Sequence, residues 1–146
     1  MSTTSTAGSS RIGTTVQNRS LLLGAAAGAV AATLVNAALW AGGRAADVSF
    51  SASPPMGDSP MQVGIGLIVP TTLLMFGIGA GLLALAARRS QSRVRAVVVA
   101  AALFTVVSVS GPLLTADDTA TGVLLALMHV ATGAAFLVTA SRVAAR

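Results

Sequence analysis

A chain of 146 residues with 54% hydrophobic and only 9% charged side chains cannot cover a water-facing surface, because soluble domains carry about 25% charged residues. Its net charge of +5 comes from nine arginines against four aspartates. The arginines border apolar stretches and aromatic residues make up 3% of the chain, so nucleic acid is excluded as an expected partner. The chain contains no cysteine, which removes disulfides, thiolate nucleophiles and thiol–metal sites.

Residues 1–20 are rich in Ser, Thr and Gly, carry Arg11 and Arg19, and contain no acid. Such a segment buries too little apolar area to offset ordering and is expected to be a disordered cytoplasmic tail. Residues 21–146 form the expected membrane domain. Its first span is Leu21–Ala41, near the ~20 residues that cross a bilayer. A secretory signal with cleavage near Gly43–Ala46 is the competing reading. Signal cores usually run about 7–15 residues, so an uncleaved helix is preferred.

Ala41–Gln62 contains Gly42, Gly43, Pro54, Pro55, Gly57 and Pro60 and reads as a loop. The second span, Val63–Ala87, ends at Arg88 and Arg89. The third, Ala96–Leu114, follows Arg93 and Arg95 and is expected to stop at Gly111-Pro112. A polar turn over Thr115–Thr121 holds Asp117 and Asp118, and the fourth span is Gly122–Ala140. None of the four stretches contains Asp, Glu, Lys or Arg. The fold expected is an all-α integral membrane four-helix bundle.

Eight arginines fall in the N-terminal tail, the loop between spans two and three, and the C-terminal tail; only Arg44 falls elsewhere. Arginine in short loops marks the cytoplasmic side. The three Arg-bearing segments agree if both termini are cytoplasmic, in a bacterial plasma membrane. All four aspartates lie on the opposite side. The basic excess also suits anionic lipid head groups, making the bilayer itself a partner.

Helices in lipid associate through small residues and polar pairs. Gly24, Gly28, Ala32 and Asn36 form one small stripe; Gly66, Pro70, Gly77 and Gly81 form a second; Gly122, Ala126, His129, Gly133 and Phe136 form a third. These stripes are expected to pack the bundle, with a homo-oligomer or a membrane protein partner as a further use.

His129 is the one ionisable residue inside a span. An imidazole facing hydrocarbon leaves polar atoms unpaired, so it is expected to face the bundle interior. Counted from the aspartate-bearing ends, Asn36, Ser108 and His129 lie roughly 6–12 Å deep. Pro70 lies at similar depth and frees the carbonyl of Gly66. The expectation is a buried network or small pocket around Asn36, Ser108 and His129.

Several chemistries find no residues. There is no depth-matched Ser-His-Asp set, no second histidine for haem, and no Gly-rich phosphate loop ending in Lys. A proton-coupled exporter would be expected to carry an intramembrane carboxylate, and the spans have none. No cofactor, metal site or catalytic residue is expected.

The run Ser108-Val109-Ser110-Gly111-Pro112-Leu113-Leu114, followed after a short turn by Leu125-Ala126-Leu127-Met128-His129, resembles an uncharacterised domain-of-unknown-function family of small actinobacterial four-helix membrane proteins. The resemblance implies fold and location and supplies no activity; it makes Pro112 and His129 worth testing. The function expected is a non-enzymatic membrane component that binds a protein or lipid partner. The alternative is small-molecule transport or ligand binding in the polar layer around His129.

Overall fold

The apolar stretches fold as four helices among the described residues: α1 (Ser9–Ala45), α2 (Ile65–Ala87), α3 (Gln91–Thr115) and α4 (Thr119–Ala144). The computed structural model describes residues 9–53 and 59–145, and side chains from residue 21 onward. Each helix contains a segment long and apolar enough to cross a membrane. Three-residue turns, Arg88–Ser90 and Ala116–Asp118, make α2–α3 and α3–α4 antiparallel neighbours.

Three helices, α1, α3 and α4, overrun the expected spans because their caps lie further out, while α2 starts two residues later than expected. The expected tail is helical from Ser9, and residues 1–8 lie outside the described residues. Once a turn is nucleated, each added residue costs little, and nothing between Ser9 and Ser20 blocks extension. At its other end α1 closes with Val48 N–H on the Gly43 carbonyl (2.9 Å) and Asp47 N–H on that of Arg44 (3.2 Å). Asp47 takes φ 58°, the left-handed position where such a cap usually uses glycine. In α3, Ser90 accepts from the Arg93 amide, so the helix starts before Ala96 and includes Arg93 and Arg95. The expected stop at Gly111-Pro112 is passed: α3 continues to Thr115. Proline there removes one hydrogen bond in the last turn, where the cost of ending a helix is smallest. Asp118 caps α4 by accepting from Thr121 N–H at 2.8 Å.

The interior is layered at one-turn spacing. Ala32, Phe76 and Phe136 belong to one apolar cluster, which extends through Leu83 and Val94 toward the arginine-bearing end. Phe50, Ile68 and Met128 belong to a second, with Trp40 against it, at the aspartate-bearing end. One turn from each, on the same helices, sit Asn36, Thr72 and Thr132. Within the first cluster the rings of Phe76 and Phe136 meet edge to face at 5.6 Å.

The loop after α1 folds over the aspartate-bearing end. Ser51–Ala52 (β1) pairs antiparallel with Met61–Gln62 (β2), and Ala52 also bridges to Ala116. Ser53 N–H donates to Thr115 O and Asp117 N–H to Ser51 O, so the turn between α3 and α4 adds a third edge. Phe50 is buried under this cover at φ 51°. Its ring lies so close to Gly43 that a Cβ there would stand 2.6 Å from it.

Large apolar side chains cover the outside. Leu103, Phe104, Val106, Val107 and Leu114 are all more than 60% exposed. On a water-soluble surface a patch of this kind would drive association; on these helices it is the face that meets lipid.

Candidate functional site

Asn36 is 2% exposed and ties three helices together. Its amide Nδ2 donates to Thr72 Oγ1 on α2 (3.0 Å) and Thr132 Oγ1 on α4 (2.9 Å). Each threonine hydroxyl then donates to its own helix, Thr72 to Ile68 O (2.7 Å) and Thr132 to Met128 O (2.8 Å). The hydroxyl protons are thereby committed, which leaves both oxygens to accept from the amide. Asn36 Oδ1 and, one turn along α1, Trp40 Nε1 are buried without a partner among the described residues.

This layer differs from the expected one. His129 is exposed and does not join Asn36. Its Nδ1 lies 2.8 Å from Leu125 O on its own helix. Because a carbonyl only accepts, Nδ1 donates this bond, which leaves Nε2 without a partner among the described residues. Ser108 donates to Thr105 O (2.9 Å), also within its own helix. The three expected members therefore bond to separate partners. Thr72 and Thr132 complete the layer, and matching their depth to that of Asn36 would have marked them.

The exposure of His129 has a geometric origin. At about 100° per residue, it lies within about 40° of Gly122, Leu125, Gly133 and Phe136 on the helix wheel. Gly122, Leu125 and Phe136 are buried and Gly133 partly so. Leu125 packs under the Phe50 loop, and Gly133 packs on Thr105 of α3. α3 leans on α4 and meets α2 far less, and the buried contact between α2 and α3 is at Val94, near their common turn. The opening over His129 therefore lies on the inward arc of α4, where α2 and α3 stand apart.

The packing glycines sort unevenly. In α1, a Cβ at Gly28 would stand 2.6 Å from Phe76 Cζ and 2.7 Å from Thr139 Oγ1, while one at Gly24 would meet Thr139 at ordinary distance. In α4, Gly133 receives the Thr105 side chain too closely for any Cβ. Gly77 and Gly81 are corrected: both are exposed with nothing within 4 Å. The α2 contact instead uses Gly79, where a Cβ would stand 2.7 Å from Phe136. Glycine spacing repeats on two faces of α2, and the buried one is set by Ile68, Thr72, Phe76 and Leu83.

A second polar cluster closes the aspartate-bearing end. Ser49 donates to Asp118 Oδ2 (2.7 Å), and Ser51 and Ser53 donate to Asp117 (2.5 and 2.7 Å). Thr121, fully buried, donates to Asp118 and accepts from Phe50 N–H. The Ser49 hydroxyl first, then the Thr121 amide and hydroxyl, hold Asp118 at about 2, below the ordinary 3.8. Ser51 and then Ser53 lower Asp117 in the same direction. Both Asp117 oxygens and Asp118 Oδ2 are engaged by the loop while Asp118 Oδ1 caps α4, which is the chemistry of a latch. Among the described residues no three His, Asp or Glu side chains converge to hold a metal ion.

Residues 16–146 match the model of a family of unknown function, DUF6069. The chain belongs to DUF6069. The DUF6069 match takes in all four membrane-length segments, so the polar layer, His129 and the aspartate latch all lie within it. Comparison with curated proteins and with solved structures gave no match. The chain is thus a multi-pass membrane protein of a family whose function is unknown.

Proposed function

We propose that this DUF6069 protein is a non-enzymatic membrane component that binds a partner protein inside the bilayer, at the opening between α2 and α3 that exposes His129. One observation carries the reading: an imidazole is exposed ten residues into a 26-residue helix. At ~1.5 Å per residue that is roughly 15 Å from the helix start, which puts it inside a ~30 Å hydrocarbon layer. Nε2 there has no water to accept from, and unmet acceptors in hydrocarbon are costly. A partner helix that brings a hydroxyl, amide or N–H donor to Nε2 removes that cost. Two copies related by symmetry would present acceptor to acceptor, so a different chain suits the site better than a second His129.

The arginine distribution supports a bacterial plasma membrane with both termini in the cytoplasm. Ligand binding in a layer shared by Asn36, Ser108 and His129 loses its basis, since these side chains bond to separate partners. A photo-activatable residue at position 129, compared in native membranes with one at the lipid-facing position 103, tests the reading. A discrete protein adduct from position 129 alone supports it. Identical lipid labelling at both positions contradicts it.

A further inference from the structure

A groove of about 370 Å³ runs between α2 and α3 at the arginine-bearing end, on the opposite half of the molecule from the aspartate latch. Leu82 and Leu85 wall it from α2, Ala96 and Val97 from α3, and Arg89 and Arg93 stand at its end nearest the turn. The walls are apolar and run along the spans, whereas the two guanidiniums come from the turn and the first residues of α3.

The charge here is one-sided. Arg88, Arg89, Arg93 and Arg95 fall within eight residues, and no aspartate or glutamate occurs anywhere from Val63 to Ala116. The first turn of α3 holds no acidic side chain. Arginine near a helix N-terminus works against the helix dipole, so this end of α3 adds to the positive potential instead of relieving it. The turn is also fixed in place: Ser90 accepts from the Arg93 amide, and Gln91 Nε2 donates to Ala144 O on α4. The cations are thus presented by a held backbone beside an open apolar channel.

We infer that this groove is a binding site for an anionic phospholipid. One acyl chain lies between Leu82, Leu85, Ala96 and Val97, and the phosphate takes paired hydrogen bonds from Arg89 and Arg93. Charge complementarity selects the occupant: a zwitterionic head group returns a positive charge to a site already rich in it. The guanidinium fork matches two phosphate oxygens, and basic pockets between membrane helices favour anionic head groups. The groove lies between the same two helices as the opening over His129, at their arginine-bearing end.

The test uses the full chain in neutral detergent micelles doped with phosphatidylglycerol or phosphatidylcholine, with bound lipid counted by native mass spectrometry. Phosphatidylglycerol is expected to be retained at one molecule per chain, at least tenfold above phosphatidylcholine. R89Q/R93Q should lose that preference, while R44Q, at the other end, should keep it. Ala96→Phe, which fills the channel and leaves both arginines, should weaken retention of phosphatidylglycerol. Equal retention of the two lipids by the unaltered chain, or a preference that R89Q/R93Q and R44Q change alike, overturns the inference. So does inorganic phosphate displacing the lipid completely at millimolar concentration, since the acyl chain would then contribute nothing.

Discussion

Asn36 on α1 donates its amide to Thr132 on α4 at 2.9 Å, across 96 residues of sequence. The bond lies in a single polar layer between two apolar clusters, and it fixes the rotation of α1 against α4. Interhelical hydrogen bonds in membranes average about 0.6 kcal/mol in double-mutant cycles. An Asn36→Ala and Thr132→Val cycle, read by equilibrium unfolding in mixed micelles, should give a coupling near ~0.6 kcal/mol. Strictly additive effects would show that the two residues do not interact.

The glycine contacts predict a contrast between positions that look alike in sequence. Gly28→Ala forces a Cβ into Phe76, whose ring is pinned edge to face on Phe136. Overpacking of this kind costs about 1–3 kcal/mol, and thermal stability in detergent should fall accordingly. Gly77→Ala meets open space and gains helix propensity, worth up to about 1 kcal/mol. A Gly77→Ala loss as large as that of Gly28→Ala would mean that α2 packs through its other face.

These contrasts show which parts of the fold were legible. The number of spans could be read because hydrocarbon demands about twenty apolar residues. Which face of α2 turns inward could not, because lipid and protein interior are equally apolar and Gly77 resembles Gly79. Asn36 stood out as a buried amide. Thr72 and Thr132 did not, since a threonine that bonds its own helix carries no unmet polarity. His129 was expected to face the bundle interior and is exposed. Its wheel position is inward, and only the separation of α2 from α3 exposes it.

The aspartate latch predicts acid sensitivity with a definite sign. Asp117 and Asp118 are held below 3.8 in the folded chain, Asp118 at about 2. A group depressed on folding contributes stability above its unfolded value and loses it as pH falls toward the folded one. Loop docking should therefore be intact above pH 3.8 and weaken between 3.8 and about 2. Trp40, the one tryptophan, lies 6.5 Å from Phe50 in the docked loop, so its fluorescence reports the change. Asp118→Asn, which can still cap α4, should flatten the acid transition. An unchanged transition in that variant would place the acid sensitivity elsewhere.

Phe50 anchors the same loop from beneath. It is 1% exposed and packs with Ile68, Leu125 and Met128. Phe50→Ala should cost about 3 kcal/mol or more. It should also release the β1–β2 cover, seen as faster amide exchange at Ser51, Ser53 and Asp117. Exchange that stays at wild-type rates would show that the serine–aspartate bonds hold the loop unaided.

The most direct measurement concerns the Nε2 atom of His129. Its nitrogen resonance in isotope-labelled protein should be recorded by solid-state NMR in native membranes, then in pure phosphatidylcholine bilayers. A hydrogen-bonded Nε2 in native membranes that becomes unbonded in the pure lipid, with Nδ1 protonated in both, is the result predicted for a donor-bearing protein partner. The same unbonded Nε2 signal in both membranes would contradict it.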